Sequence, residues 1–246
     1  MKNIFFLLLI LPLTSCSDHE LGWFILSPRN VEGLTNLKFL LSGMGVTVYI
    51  SIISIIISMI LGFIIAIPSL AKNKFLTYIN IGYVEIVRAI PLLVLILWIY
   101  YGLPIMTGIS FSPFVSGIIA LAISESAFQA EIFRAGINSI KKSQWEAGSS
   151  LGLTFYKRLR LVILPQAIKN ILPALGNQFV YVLKMSSLVS IIGIADLTRK
   201  ANELVVSTYR PLEIYTFLIL EYLILILIVS FFVRKLEKKL KRDGNN

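Results

Sequence analysis

Four stretches of this sequence, approximately 40–70, 83–103, 113–136 and 213–233, are predominantly apolar for about twenty residues or more. A helix needs that length to cross a hydrocarbon core of about 30 Å. At membrane depth every backbone N–H and C=O must be satisfied internally, so helices are the expected solution. A fifth stretch, about 168–194, has the length but is interrupted by Asn177, Gln178 and Lys184. It reads as a span that faces protein or water rather than lipid. The sequence therefore predicts an all-α, polytopic membrane protein with five transmembrane helices. The first run is longer than a bilayer requires, so it tilts or extends beyond it. Ser54, Ser58, Gly62 and Ala66 recur along it every four residues, a stripe that lets a neighbouring helix approach closely. Mere tolerance of small residues is the alternative.

Composition narrows the function classes. With 57% hydrophobic residues, 15% charged residues and a mean hydropathy of +0.83, the chain is too apolar for an ordinary soluble domain. One cysteine, Cys16, and one histidine, His19, both lie near the N-terminus. The spans thus have no Cys/His metal site and no histidine base for nucleophilic catalysis. No catalytic residue, metal or cofactor is expected. Residues 1–16 carry Lys2 and then a run of about ten apolar residues, too short to span and patterned like a secretory signal. They end in "LTSC", which resembles the lipobox of bacterial lipoproteins and makes Cys16 a lipidation candidate; an uncleaved N-terminus is the alternative. Either reading puts residues 17–39 outside the cytoplasm.

The net charge of +10 raises nucleic acid as a partner, but its placement favours a membrane explanation. With five spans and an outer start, the cytoplasmic pieces hold Lys72, Lys74, Lys141, Lys142, Lys157, Arg158, Arg160, Lys169 and the basic tail at 236–246 with its flank Arg234 and Lys235. The outer pieces hold only Arg29, Lys38, Arg199, Lys200 and Arg210. This excess of cytoplasmic Lys and Arg predicts the N-terminus outside and the C-terminus inside, with the basic residues near anionic lipid and no nucleic acid involved.

The longest cytoplasmic connection, about 137–167, exceeds what a tight turn needs. Within it "SQWEAGSSLG" offers Ser143 as an N-cap with Glu146 three residues on, and Gly152 as a stop before "LTFYKRLRLVILP". A short helix, a glycine turn and a second amphipathic helix are expected. "EAGSSLG" followed by "VILP" resembles the EAA loop of ABC importer permeases. Glu146, Ala147, Gly152, Leu164 and Pro165 stand at the matching places, while Gly148 replaces the motif's second alanine and Val162 its isoleucine.

The resemblance covers about residues 40–235. "VEIVRAIPLLVLILWIYYGLP", "AEIFRAGI", "LPALGNQFVYVLKMSSL" and "IGIADLTRKA" are similar to the polar amino acid subfamily of these permeases, the histidine, glutamine and arginine type. It implies a type I importer permease in the bacterial inner membrane that pairs with itself or a sister permease. A cytoplasmic ATPase and an extracytoplasmic solute-binding protein would serve it. The short helix of the loop would dock on the ATPase, with Glu146, Ala147, Gly148, Gly152, Leu164 and Pro165 as the coupling residues. No G-x-x-x-x-G-K-[ST] is present in the sequence, so the energy is expected from the partner.

Polar residues at membrane depth mark function by default. "EIVR" at 85–88 and "EIFR" at 131–134 each place Glu and Arg three apart, which local ion pairing and snorkelling arginines explain. Glu125 lies about 16 Å from the inner end of its span, near mid-depth. Ser124, Phe128 and Gln129 are beside it. On the interrupted span Asn177, Tyr181 and Lys184 share one helical face. Together these seven residues are candidates for a substrate pathway. Equally open is internal pairing, in which Glu221 neutralises Lys184 and leaves no site. Met185 stands where the family often has an acid, which argues against a cationic substrate side chain. Rival readings are a secondary amino acid transporter, which needs coupling-ion sites, and a membrane scaffold, which leaves the long loop unexplained.

Overall fold

The computed structural model describes residues 22–70 and 74–242; the signal-like segment 1–16, Cys16 and Lys72 lie outside them. Every described element is helical. Helix α1 spans Val31–Leu70, α2 Lys74–Ala89, α3 Leu92–Thr107, α4 Pro113–Asn138, α5 Lys142–Ser150, α6 Phe155–Ile192, α7 Leu197–Thr208 and α8 Pro211–Arg242. Four of these, α1, α4, α6 and α8, are long and apolar enough to cross a membrane, and α2 with α3 forms a fifth, bent candidate.

Two features differ from the sequence expectation. Helix α1 begins at Val31, inside the stretch assigned to the outer segment, because Asn30 caps it: its Oδ1 accepts the Gly33 N–H at 2.6 Å. At 40 residues the helix is about 60 Å long, twice the hydrocarbon thickness. The run at 83–103 is not one helix. It breaks between Ala89 and Leu92 with a bend of 93°. Pro91 lacks an N–H for the helical ladder, and its ring pushes Ile90 out of helical geometry.

The packing centre is the seam between α1 and α4. Ser54 and Ser58 are fully buried and Ala66 nearly so, and the stripe extends upward through Ser51 and Thr47. A Cβ on Gly62 would lie 2.4 Å from Cβ of Gln129 and 2.8 Å from the Ala130 nitrogen, so only glycine permits this approach. The hydroxyls of Thr47, Ser51 and Ser58 satisfy themselves on carbonyls of their own helix, which allows them into an apolar seam. Helix α4 starts at Ser112, which accepts the Val115 N–H at 3.3 Å, with Pro113 at the first position.

At one end of the bundle, the short helical turn Trp23–Leu26 and helix α7 pack with α1 and α8 around Leu40, Ala201, Leu204 and Ile214. The same end holds a polar lock: Asp196 caps α7 through the Arg199 N–H at 2.8 Å, and the Leu197 N–H donates to Thr47 Oγ1 at 3.1 Å. At the other end, α5 and the start of α6 pack beneath α4. The basic tail is the continuation of α8, helical to Arg242.

Candidate functional site

The loop between α4 and α6 is built as a rigid unit. Helix α5 ends in two reversing bonds, from the Gly152 N–H to Ser149 O at 2.9 Å and from the Leu153 N–H to Gly148 O at 3.2 Å. With Gly152 at φ +69°, this is a Schellman stop, and the left-handed residue is glycine because a Cβ there is strained. The predicted helix, glycine turn and second helix are all present. The predicted capping box is not. The helix starts at Lys142, so Ser143 lies inside it, and Glu146 instead receives Lys142 Nζ at 3.4 Å.

Trp145 stacks on Phe155 across the turn with ring centroids 5.9 Å apart. Beneath them Ile137, Leu159, Ile163, Ala167 and Ile171 form a buried cluster that joins the loop to the ends of α4 and α6. Leu164 packs on this cluster. Pro165 follows a π turn at Leu159–Ile163, which widens the helix where the proline lacks its donor. Asn170 Nδ2 donates to Ser139 Oγ at 2.8 Å, and Gln166 Nε2 to Gln144 Oε1 at 3.2 Å. Glu146 and Ala147 are left facing outward while Gly148 is buried. Beside them lies a groove of about 520 Å³ lined by Asn138, Lys142, Trp145, Glu146, Ser149, Phe155 and Arg158. The arrangement presents a short helix at the far end of the bundle, packed and hydrogen-bonded to the ends of α4 and α6.

The mid-span residues divide into two groups. Ser124, Glu125 and Gln129 are buried, and Gln178 Nε2 donates to Glu125 Oε2 at 2.5 Å. In the sequence Gln178 is marked only as an interruption of the apolar run, since nothing local pairs residues 53 apart. Gln129 is fully enclosed, with neither amide atom hydrogen-bonded among the described residues. Asn177, Tyr181 and Lys184 lie on the exposed face of α6. Phe128 joins the groups, 6.4 Å from the Tyr181 ring and 4.8 Å beneath the Arg88 guanidinium.

The alternative pairing of Lys184 with Glu221 does not form: both Glu221 oxygens are buried without a hydrogen-bond partner among the described residues, while Lys184 is exposed. Of the two Glu/Arg repeats, Glu131 and Arg134 form the ion pair. Arg88 instead covers Phe128, because the aromatic face is within reach and offers a cation–π contact.

A family model described as "Binding-protein-dependent transport system inner membrane component" matches residues 58–242. The arginine transport system permease protein ArtQ of Bacillus subtilis is 35% identical over 85% of this chain and 96% of its own length. The glutamine transport system permease protein GlnP of Escherichia coli K12 is 32% identical over 83% and 94%. Among solved structures, an amino acid ABC transporter with histidines superposes with a TM-score of 0.77 at 40% identity, covering 84% of this chain and 96% of that one. The inward-facing MetNI methionine transporter superposes at 0.75 with 17% identity, covering 84% and 98%, and shares the fold.

Proposed function

Since the chain belongs to the family of binding-protein-dependent transport system inner membrane components, we propose that it is the permease of an ATP-driven importer of polar amino acids. The relatives named for arginine and glutamine support that substrate class. A separate ATPase supplies the energy, an extracytoplasmic solute-binding protein delivers the amino acid, and a second permease, identical or related, completes the pathway. The N-terminus lies outside and the C-terminus in the cytoplasm, a reading that the distribution of Lys and Arg supports.

The observation that carries this reading is the loop: α5 closed by Gly152, sealed to α4 and α6 through Ile137, Leu159 and Ile163, with Glu146 and Ala147 turned outward. A helix mounted this way transmits force from a docked ATPase because packed interiors respond by rigid displacement rather than by compression. Phe128, Asn177, Tyr181 and Lys184 line the route across the membrane. Ser124, Glu125 and Gln129 back them, with Glu125 reached through Gln178. A zwitterion leaving water needs such partners, since an unpaired charge in low dielectric costs several kcal/mol.

The test is uptake of labelled glutamine, arginine and histidine by proteoliposomes containing the permease, its ATPase and its binding protein. Uptake of at least one that requires ATP inside and binding protein outside is expected. Uptake that persists without the ATPase overturns the reading.

A further inference from the structure

One departure from the EAA motif has a structural counterpart elsewhere in the loop. The second alanine is replaced by Gly148, and the space its Cβ would fill is occupied by an arginine stem: a Cβ there would lie 2.9 Å from Arg158 Cγ and 3.1 Å from Cδ. Cγ belongs to the fixed root of that side chain, so an alanine displaces the whole arginine rather than nudging its tip. Threaded through the gap, Arg158 reaches across the Gly152 turn and bonds Ser149 Oγ, with a longer bond of 3.5 Å to Trp145 O. Both acceptors belong to the last turns of α5, while Arg158 belongs to the start of α6.

Nε of Arg158 is buried with no acceptor among the described residues. A donor in that state is unfavourable, so hydrogen bonding alone does not place the side chain. The gap at Gly148 does. Arg158 also walls one side of the groove beside Trp145 and Glu146, so the angle between α5 and α6 and the shape of that groove depend on the same side chain.

We propose that Gly148 and Arg158 form a single brace, in which the missing Cβ admits the arginine and the guanidinium fixes α5 against the start of α6, making Arg158 a positioning residue for transmission from the ATPase. This rests on the reading of the loop as the ATPase contact. The brace makes Gly148 and Arg158 interdependent: the glycine is required only while the arginine is present.

The experiment is a double-mutant cycle in the full complex, in proteoliposomes, reading ATP hydrolysed per labelled amino acid taken up. Gly148→Ala alone should raise that ratio roughly fivefold, the effect of a coupled contact pair. In the Arg158→Ala background the added methyl group meets only ordinary space, 3.7 Å from Arg158 Cβ. There the same change should alter the ratio by less than about twofold. Arg158→Lys, which keeps the stem and one donor, should restore part of the coupling lost in Arg158→Ala. Equal effects of Gly148→Ala in both backgrounds, or no effect of either single change, would overturn the brace.

A cysteine at Ser150 cross-linked to the ATPase separates the two levels. Without a cross-link in the otherwise unaltered protein, the coupling-loop reading itself fails. With a cross-link and an additive cycle, only the brace fails.

Discussion

At Gly152 a positive φ of +69° turns one residue type into a requirement. A β-branched side chain in that conformation is strained by roughly 1–2 kcal/mol, and the two bonds that stop α5 depend on it. Gly152→Val is expected to leave the spans inserted and to lower uptake at least about tenfold; wild-type uptake in proteoliposomes would remove the turn from the mechanism. Glu125 is a second single-residue test. Glu125→Gln keeps the size and an acceptor for Gln178 but removes the ionisable carboxyl. The expected result is an assembled complex with binding-protein affinity retained and uptake lowered roughly tenfold. Normal uptake by Glu125→Gln would assign that carboxyl to folding instead.

Helix α7 is held by a buried acid. Asp196 caps it through the Arg199 N–H, and burial pushes its carboxyl from an ordinary 3.8 up to about 6, against the opposing pull of the backbone N–H groups of Arg199 and Thr198. The folded protein therefore holds this proton in a range where the unfolded chain has released it. Stability of the α7 docking falls as pH rises between about 4 and 6, and it is greater at pH 5 than at pH 7. Protection of the α7 amides in nanodiscs, taken relative to the intrinsic exchange rate at each pH, should rise on acidification from pH 7 to pH 5. Asp196→Asn, which keeps the cap but cannot titrate, should flatten that dependence. An unchanged pH profile in Asp196→Asn would show that another group is responsible. The bend at Pro91 belongs to this scale as well. Ala89, Ile90 and Leu92 keep the run apolar across the bend, so hydropathy joins two helices that the proline ring separates by 93°.

For the molecule as a whole, orientation is the property on which the transport reading depends. Cysteines introduced at Ser110 and Val206, both exposed, should react with an impermeant thiol reagent added to intact cells, and one at exposed Ser149 should react only after lysis. Labelling at Ser149 in sealed cells would reverse the topology and detach the loop from a cytoplasmic ATPase. The long exposed apolar surface of α8, with Leu220, Leu227 and Phe231 among its open side chains, fits a helix whose outer face meets lipid, where burial against protein is unnecessary.

What the sequence determined by itself was whatever local backbone physics and periodicity can specify. Span length followed from hydrocarbon thickness, the tight α1–α4 seam from small residues every four positions, and the helix–turn–helix form of the α4–α6 loop from a glycine stop flanked by a recognisable motif. The start of α1 at Asn30 and the break at Pro91 were also written locally, but the polar residues of 31–39 hid the first and the apolar residues around Pro91 hid the second. Tertiary structure alone decided the pairings between distant residues. Gln178 meets Glu125, Arg88 covers Phe128 instead of Glu85, Glu221 stays apart from Lys184, and Arg158 occupies the space that Gly148 vacates. Such contacts depend on how helices rotate and cross. Those angles are set by the summed packing of whole faces, so a single residue's identity carries no record of its partner.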